Sequence, residues 1–332
     1  MKLLWHFKAV EEFNAVRACL PAGVDIVHVR TDDDLRVHIA DADATVCGQG
    51  IYQGEAAKLY KTAASKLRWI QLRASGTDNA ARWGFPLGVT VTNAPGMSSA
   101  PISEHLMSMM LVLNRRLHEW MAIQAGHAWN RDTGVIGRMG SLDGRTVAVI
   151  GYGAIAQAFC IRAKAFGMRV VVVSRAAEPG PHVDAVVRRD KLGGAVAAAD
   201  VVAICTALTP ETHHLLGRAE LARMKPTATV LNIGRGELID EAALIDALRD
   251  GRIGGAGLDV TTEEPCPSDN PLWSMKNVIL SPHVAARGGN DVELFARLAT
   301  ENVRRYLAGE TLLHVMGPDR LAPPPSGSPG KA

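Results

Sequence analysis

The rest of the chain is organised around the stretch Arg145–Arg175, RTVAVIGYGAIAQAFCIRAKAFGMRVVVVSR. Thr146–Ile150 is a short apolar run, largely β-branched, that ends in Gly151-Tyr152-Gly153. Ala154–Phe166 then reads as a helix with Ile155, Phe159 and Ala163 on one face. Gly167 closes it, and Val170–Val173 is a second apolar run. A buried strand, a Gly-x-Gly turn, a helix and another buried strand form a βαβ unit, which implies a parallel sheet.

Backbone geometry carries the chemistry of this unit. Gly151 permits the tight turn, and Gly153 has no Cβ to keep a pyrophosphate from the main chain. The first N–H groups of the helix, at Ala154 and Ile155, are unpaired and attract phosphate oxygens. The third small position of the fingerprint is Ala156, which still allows close helix–strand contact. Many ordinary turns contain Gly-x-Gly, but here it sits between two strands at the spacing of a dinucleotide site. At the end of the second strand, where an acidic residue would bond the ribose hydroxyls of NAD, the chain has Ser174-Arg175. An Arg beside a hydroxyl suits a 2′-phosphate, so NADP is the expected cofactor, with NAD possible. The alternative for Arg175 is stacking on adenine or facing water.

At 332 residues the chain suggests two domains. With 47% hydrophobic and 21% charged residues it has the composition of a globular protein, and a net charge of +2 gives no reason to invoke nucleic acid or a membrane surface. No apolar run reaches the length of a membrane span, and MKLLWHFKAVEEF turns polar too early for a signal peptide. The cysteines (Cys19, Cys47, Cys160, Cys205, Cys266) are widely spaced, without a Cys-x-x-Cys pair to hold a metal. A cytoplasmic location is expected.

Residues 1 to 95 alternate apolar runs with helical segments. Leu3–Phe7, Asp25–Val29, Ala44–Cys47, Leu67–Leu72 and Val89–Thr92 read as strands, and Ala9–Cys19 and Glu55–Ser65 as helices. Ligands of such open sheets bind beyond the carboxyl ends of strands, where Gly48-Gln49-Gly50 and Arg73–Asp78 fall. Ser75-Gly76 can present main-chain N–H groups to a carboxylate; an ordinary turn and helix cap is the equal alternative. After a break at Asn93–Gly96, Pro101–Ala125 reads as one long Met-rich helix opened by Ser98/Ser99 caps. Its Met107, Met109, Met110 and Met121 suit a core or a dimer contact, and Arg115-Arg116 suit solvent or a partner subunit. Beyond Arg175, Ala199–Cys205, Ala228–Asn232, Gly255–Asp259 and Val278–Ser281 read as strands. Arg218–Met224, Asp240–Arg249 and Asp291–Leu307 read as helices, and Thr209–Thr212 as a turn able to cover the cofactor.

Three strand ends carry candidate chemistry. Asn232-Ile233-Gly234-Arg235-Gly236 exposes one guanidinium between glycines, a fork suited to a carboxylate. Glu263-Glu264-Pro265 and Ser281-Pro282-His283 follow two successive strands. A lone His is usually structural, but a carboxylate neighbour favours the imidazolium, and such a pair can deliver a proton. A nicotinamide hydride, a proton from His283 and an anchor at Arg235 together describe reduction of a 2-oxo acid to a 2-hydroxy acid.

On these residues the chain resembles the D-isomer-specific 2-hydroxyacid dehydrogenases. The matching stretches are WIQLRASGTDN (69–79), VTVTNAPGMSSAPISEHL (89–106), GYGAIAQ (151–157), TALTPETHHLLG (206–217), LNIGRGELID (231–240), GAGLDVTTEEP (255–265) and SPHVA (281–285). The resemblance implies an α/β fold of two open parallel-sheet domains. A flavodoxin-like substrate domain would span 1–99 and be completed by 288–318. A Rossmann coenzyme domain would span 100–287, and the Pro-rich tail 319–332 would be disordered. The active site would lie in the interdomain cleft. It also implies that Arg235 binds the substrate carboxylate and oxygen, that Glu264 pairs with His283, and that the N–H groups of Ser75-Gly76 bind carboxylate. Thr206, Ile233 and Asp259 would line the cofactor site, with Asp259 near the nicotinamide. A homodimer through the helix near Pro101 is common in the family. The WIQ…SG.D form and Ser174-Arg175 are similar to NADP-dependent glyoxylate/hydroxypyruvate reductases. Three positions depart from the pattern: Ala156, Thr77, and Thr261-Thr262, the last two of which bear on the substrate pocket. The alternative from another class is a dinucleotide-sensing protein, such as the co-repressors of this fold.

Overall fold

A computed structural model describes residues 1–8, 10–48, 50–76, 78–131, 134–175, 180–288 and 291–317. Gln49, Thr77 and the tail 319–332, on which expectations were placed, lie outside the described residues. The chain divides into two compact units, one of Met1–Met97 with the segment that begins at Asn290, the other of Ser98–Gly289.

The first unit runs β1 (Lys2–His6), α1 (Val10–Cys19), β2 (Asp25–Val29), α2 (Asp32–His38), β3 (Ala44–Cys47), α3 (Gly54–Thr62), β4 (Trp69–Leu72), α4 (Asp78–Trp83) and β5 (Thr90–Thr92). The second runs α5 (Ser99–Asn114), α6 (Leu117–Ala125), β6 (Thr146–Ile150), α7 (Ala154–Ala165), β7 (Arg169–Val173), β8 (Ala185–Val187), α8 (Leu192–Ala198), β9 (Val201–Ile204), α9 (Arg218–Leu221), β10 (Thr229–Asn232), α10 (Glu241–Arg249), β11 (Gly255–Leu258) and β12 (Val278–Leu280). The chain then returns to the first unit as α11 (Asp291–Ala308).

Both sheets are parallel throughout. The first has the order β2-β1-β3-β4-β5, the flavodoxin-like order. The second has the order β12-β11-β10-β9-β6-β7-β8, the doubly wound order of dinucleotide-binding domains extended by one strand. The strands of such sheets are buried on both faces, so each residue serves one of two helical layers. On β6, Val147 and Val149 pack with Leu106 and Met110 of α5 and Phe159 of α7. Ala148 and Ile150 face the opposite layer, with Val196, Leu221 and Leu244. On β1, Leu3 and Trp5 pack with Phe295 and Val303 of α11, and Leu4 packs with Leu35 and Tyr60.

Several expectations need correction. The long helix is two, α5 and α6, because Arg116 adopts a left-handed φ of 56° that a continuing helix cannot accommodate. Arg116 also turns its side chain inward, to 14% exposure, beside Glu119. Ser98 is the N-cap of α5 but makes no side-chain capping bond. Met107, Met109 and Met110 are core residues, whereas Met121 is 66% exposed. The short elements α2, α4, β8 and α8 were not expected. Among the described residues no helix is long and apolar enough to cross a membrane.

Candidate active site

The strand order of the second sheet reverses between β6 and β9, and ligands of open α/β sheets bind at such a switch point. Gly151 leaves β6 with φ +98°, and a Cβ there would stand 2.7 Å from the Cys205 carbonyl oxygen and 3.1 Å from Thr206 Cα. Only glycine lets this turn lie against the end of β9. Gly153, the N-cap of α7, faces open space where a Cβ would project, so the first N–H groups of the helix at Ala154 and Ile155 are accessible. Ala156 is fully buried, consistent with its role in helix–sheet contact. This cradle fits a pyrophosphate. Ser174 and Arg175 follow β7 directly; Ser174 is tied by its N–H to the Val187 carbonyl, and Arg175 is exposed. Thr206 and Ile233 follow β9 and β10 and are half-buried.

The three reactive segments follow β10, β11 and β12, which are neighbours in the sheet. After β10, the Asn232 side chain braces the Arg235 turn: its Nδ2 donates to the Arg235 carbonyl at 2.8 Å and its Oδ1 accepts from Gly234 N at 3.0 Å. Arg235 Nη1 donates to the Gly234 carbonyl at 2.7 Å. Gly236 is pressed on the loop after β11, because a Cβ there would collide with the main chain of Thr261 and Thr262. The Arg235 turn and the loop carrying Glu264 are therefore one packed body. Glu241 of α10 anchors that loop from below, accepting from Thr262 N and Asn270 Nδ2.

His283 Nδ1 bonds Glu264 Oε2 at 2.7 Å. The carboxylate can only accept, so Nδ1 is the donor, and Nε2 is the ring nitrogen outside that bond. The bond to Glu264 is the largest influence on His283 and raises its pKa above an ordinary histidine's; partial burial and the nearby Arg235 oppose the rise. Asp259, only 2% exposed, sits beneath this residue. Its carboxylate accepts from Ser281 Oγ and from the N–H groups of Val284 and Ala285.

The structure thus brings Arg235, Glu264, His283 and Asp259 together. Ser75 and Gly76 belong to the other unit, directly after β4, where Asn93 Nδ2 holds the Ser75 carbonyl at 2.9 Å. Sequence reasoning missed Glu241, and it missed His105, whose Nε2 lies 2.8 Å from Ser281 Oγ. Those two partners are 176 positions apart, and no local spacing links them.

Comparison with known proteins gives the family. Residues 107–285 match the family model for the D-isomer specific 2-hydroxyacid dehydrogenase, NAD binding domain. A glyoxylate reductase of Thermococcus gammatolerans is 36% identical over 255 residues, 74% of this chain and 75% of the relative. A D-3-phosphoglycerate dehydrogenase of Methanocaldococcus jannaschii is 33% identical over 300 residues, 88% of this chain and 55% of the relative, so the chain spans little more than half of that protein. Among solved structures, a D-isomer specific 2-hydroxyacid dehydrogenase family protein from Aeromonas salmonicida superposes with a TM-score of 0.85 at 28% identity, covering 95% of this chain and 98% of the other.

Proposed function

Since the chain belongs to the D-isomer specific 2-hydroxyacid dehydrogenase family, whose members use a nicotinamide dinucleotide, we propose that it reduces a small 2-oxo acid of the glyoxylate or hydroxypyruvate type to the D-2-hydroxy acid, preferring NADPH. The observation that carries this reading is the 2.7 Å bond between His283 and Glu264 on a loop packed against the Arg235 turn.

In this reading Gly151, Gly153 and the N–H groups of Ala154 and Ile155 hold the pyrophosphate. Ser174 and Arg175 receive the 2′-phosphate, and Thr206, Ile233 and Asp259 line the remainder of the cofactor site. Ser174-Arg175 offers a hydroxyl and a cation where NAD would want a carboxylate, which favours NADP over NAD. A bound nicotinamide supplies the hydride for the carbonyl carbon. The Arg235 fork takes the substrate carboxylate and stabilises charge growing on the carbonyl oxygen. Ser75 and Gly76, in the other unit, are proposed as main-chain N–H donors to a carboxylate. His283 gives its Nε2 proton to that oxygen, and Glu264 keeps the imidazolium charged and oriented.

Leu117 and Met121 of α6, 44% and 66% exposed, are apolar side chains that a second copy of the chain would cover, and the proposal includes a homodimer. All the cysteines are free, which suits a cytoplasmic setting. The test is His283→Ala. The variant should lose about two or more orders of magnitude in NADPH-dependent reduction while still binding NADPH. Near-normal turnover would refute the assignment of His283 as proton donor.

A further inference from the structure

The turn that presents His283 is built around a buried anion. Asp259 Oδ1 accepts from Ser281 Oγ at 2.6 Å and from Val284 N at 2.9 Å, and Oδ2 accepts from Ala285 N at 2.9 Å. The His283 N–H donates to the Asp259 carbonyl at 2.8 Å, and His283 itself has a left-handed φ of 53°. Non-glycine residues adopt that conformation uncommonly. Here the Asp259 carboxylate, bonded to residues on both sides of His283, holds the turn in it.

One more side chain reaches this hub. His105 projects from α5, a helix fixed in the core by Leu106, Met107, Met109 and Met110. Its Nε2 lies 2.8 Å from Ser281 Oγ and 3.7 Å from Asp259 Oδ1. A serine hydroxyl has one proton, and Ser281 gives it to Asp259, so His105 Nε2 is the donor to Ser281. The donors run in one direction, from His105 to Ser281 to Asp259. We propose that His105 is a positioning residue of this site: acting through Ser281, it anchors the Asp259 carboxylate around which the His283 turn is wrapped. The role rests on the reading of His283 as proton donor. It is distinct from packing, because it requires a hydrogen-bond donor at position 105 and a hydroxyl at position 281.

A loosened turn lets His283 Nδ1 drift from Glu264, and the charged neighbours that face His283 (Glu264, Arg235 and Asp259) then act on it differently. The pKa of the His283 imidazole, followed by NMR without substrate and assigned with His283→Ala, therefore reports on the relay directly. In His105→Leu and in Ser281→Ala it should fall by about half a unit or more. The kcat for NADPH-dependent glyoxylate reduction should fall about tenfold, while KM for NADPH changes little. His105→Gln, which keeps a donor, should restore both, and the double variant should be no worse than either single one, as for members of one network. Ser281→Ala carries the test if His105→Leu does not fold. An unchanged His283 pKa in both variants would overturn the proposal. Equal damage from Gln and Leu would overturn it too, by reducing His105 to a packing residue. Absence of turnover in the unaltered chain would overturn the reductase reading alone, since the NMR titration needs no turnover.

Discussion

Replacing Glu264 by Gln separates the charge of the His283 partner from its shape. The amide oxygen can still accept from Nδ1, but the negative charge is gone. Nδ1 and Oε2 lie 2.7 Å apart, and the two side chains are 44% and 39% exposed, so water screens the pair. The lost attraction is then about 1 kcal/mol rather than the several that a dry site would give. At about 1.4 kcal/mol per factor of ten this makes the imidazolium roughly fivefold less favoured against the neutral ring, and so lowers the His283 pKa. The sign follows from the direction of the shift. Glu264 raises the pKa, so the wild-type imidazolium persists to higher pH, and reduction, which needs that proton, declines as pH rises through it. In Glu264→Gln the decline should begin at lower pH, leaving the rate roughly fivefold down on the alkaline side and little changed on the acid plateau. The assay is kcat/KM for glyoxylate with NADPH across the pH range. An alkaline limb that stays in place, or an equal loss at every pH, would show that the Glu264 charge does not hold the His283 proton.

Three further outcomes follow from other parts of the chain. Arg175→Asp should weaken NADPH binding more than NADH binding; an unchanged ratio of the two dissociation constants would remove Arg175 from cofactor choice. Gly236→Ala drives a methyl into the Thr261–Thr262 main chain, so it should cost about 1–3 kcal/mol in denaturant unfolding and lower kcat/KM by separating Arg235 from the Glu264 loop. His6, 3% exposed, has its pKa lowered by burial from 6.5 to about 4, so folding favours its neutral form. Stability is then complete above pH 6.5 and falls by up to about 3 kcal/mol as pH drops to 4, a slope that His6→Gln should flatten in urea titrations.

The βαβ unit was legible because Gly151 and Gly153 punctuate runs whose apolar character reflects burial on both sheet faces. The partnership of His283 with Glu264 was also legible, since β11 and β12 are consecutive parallel strands that pair, which brings their carboxyl ends together. Other elements left weaker marks. The helix α8, LGGAVAA, holds two glycines and forms because Leu192 and Val196 are buried, so tertiary packing overrides propensity. The helix α2 did have a signal, the Thr31/Asp34 capping box, but it lacks a broad apolar face. The break between α5 and α6 rests on one left-handed arginine, a conformation that side-chain type does not announce. The role of Asp259 as the hub of the His283 turn, and the approach of His105 from α5, arise from tertiary geometry, which residue spacing does not encode.

The most direct measurement is the loss of nicotinamide absorbance with the purified chain. NADPH and NADH are supplied separately, against glyoxylate, hydroxypyruvate, pyruvate and a bulky aromatic 2-oxo acid. Turnover is expected with the small acids, glyoxylate or hydroxypyruvate foremost, and faster with NADPH than with NADH. Tight binding of either dinucleotide without turnover of any acid would contradict it and identify a dinucleotide-sensing protein built on the same fold.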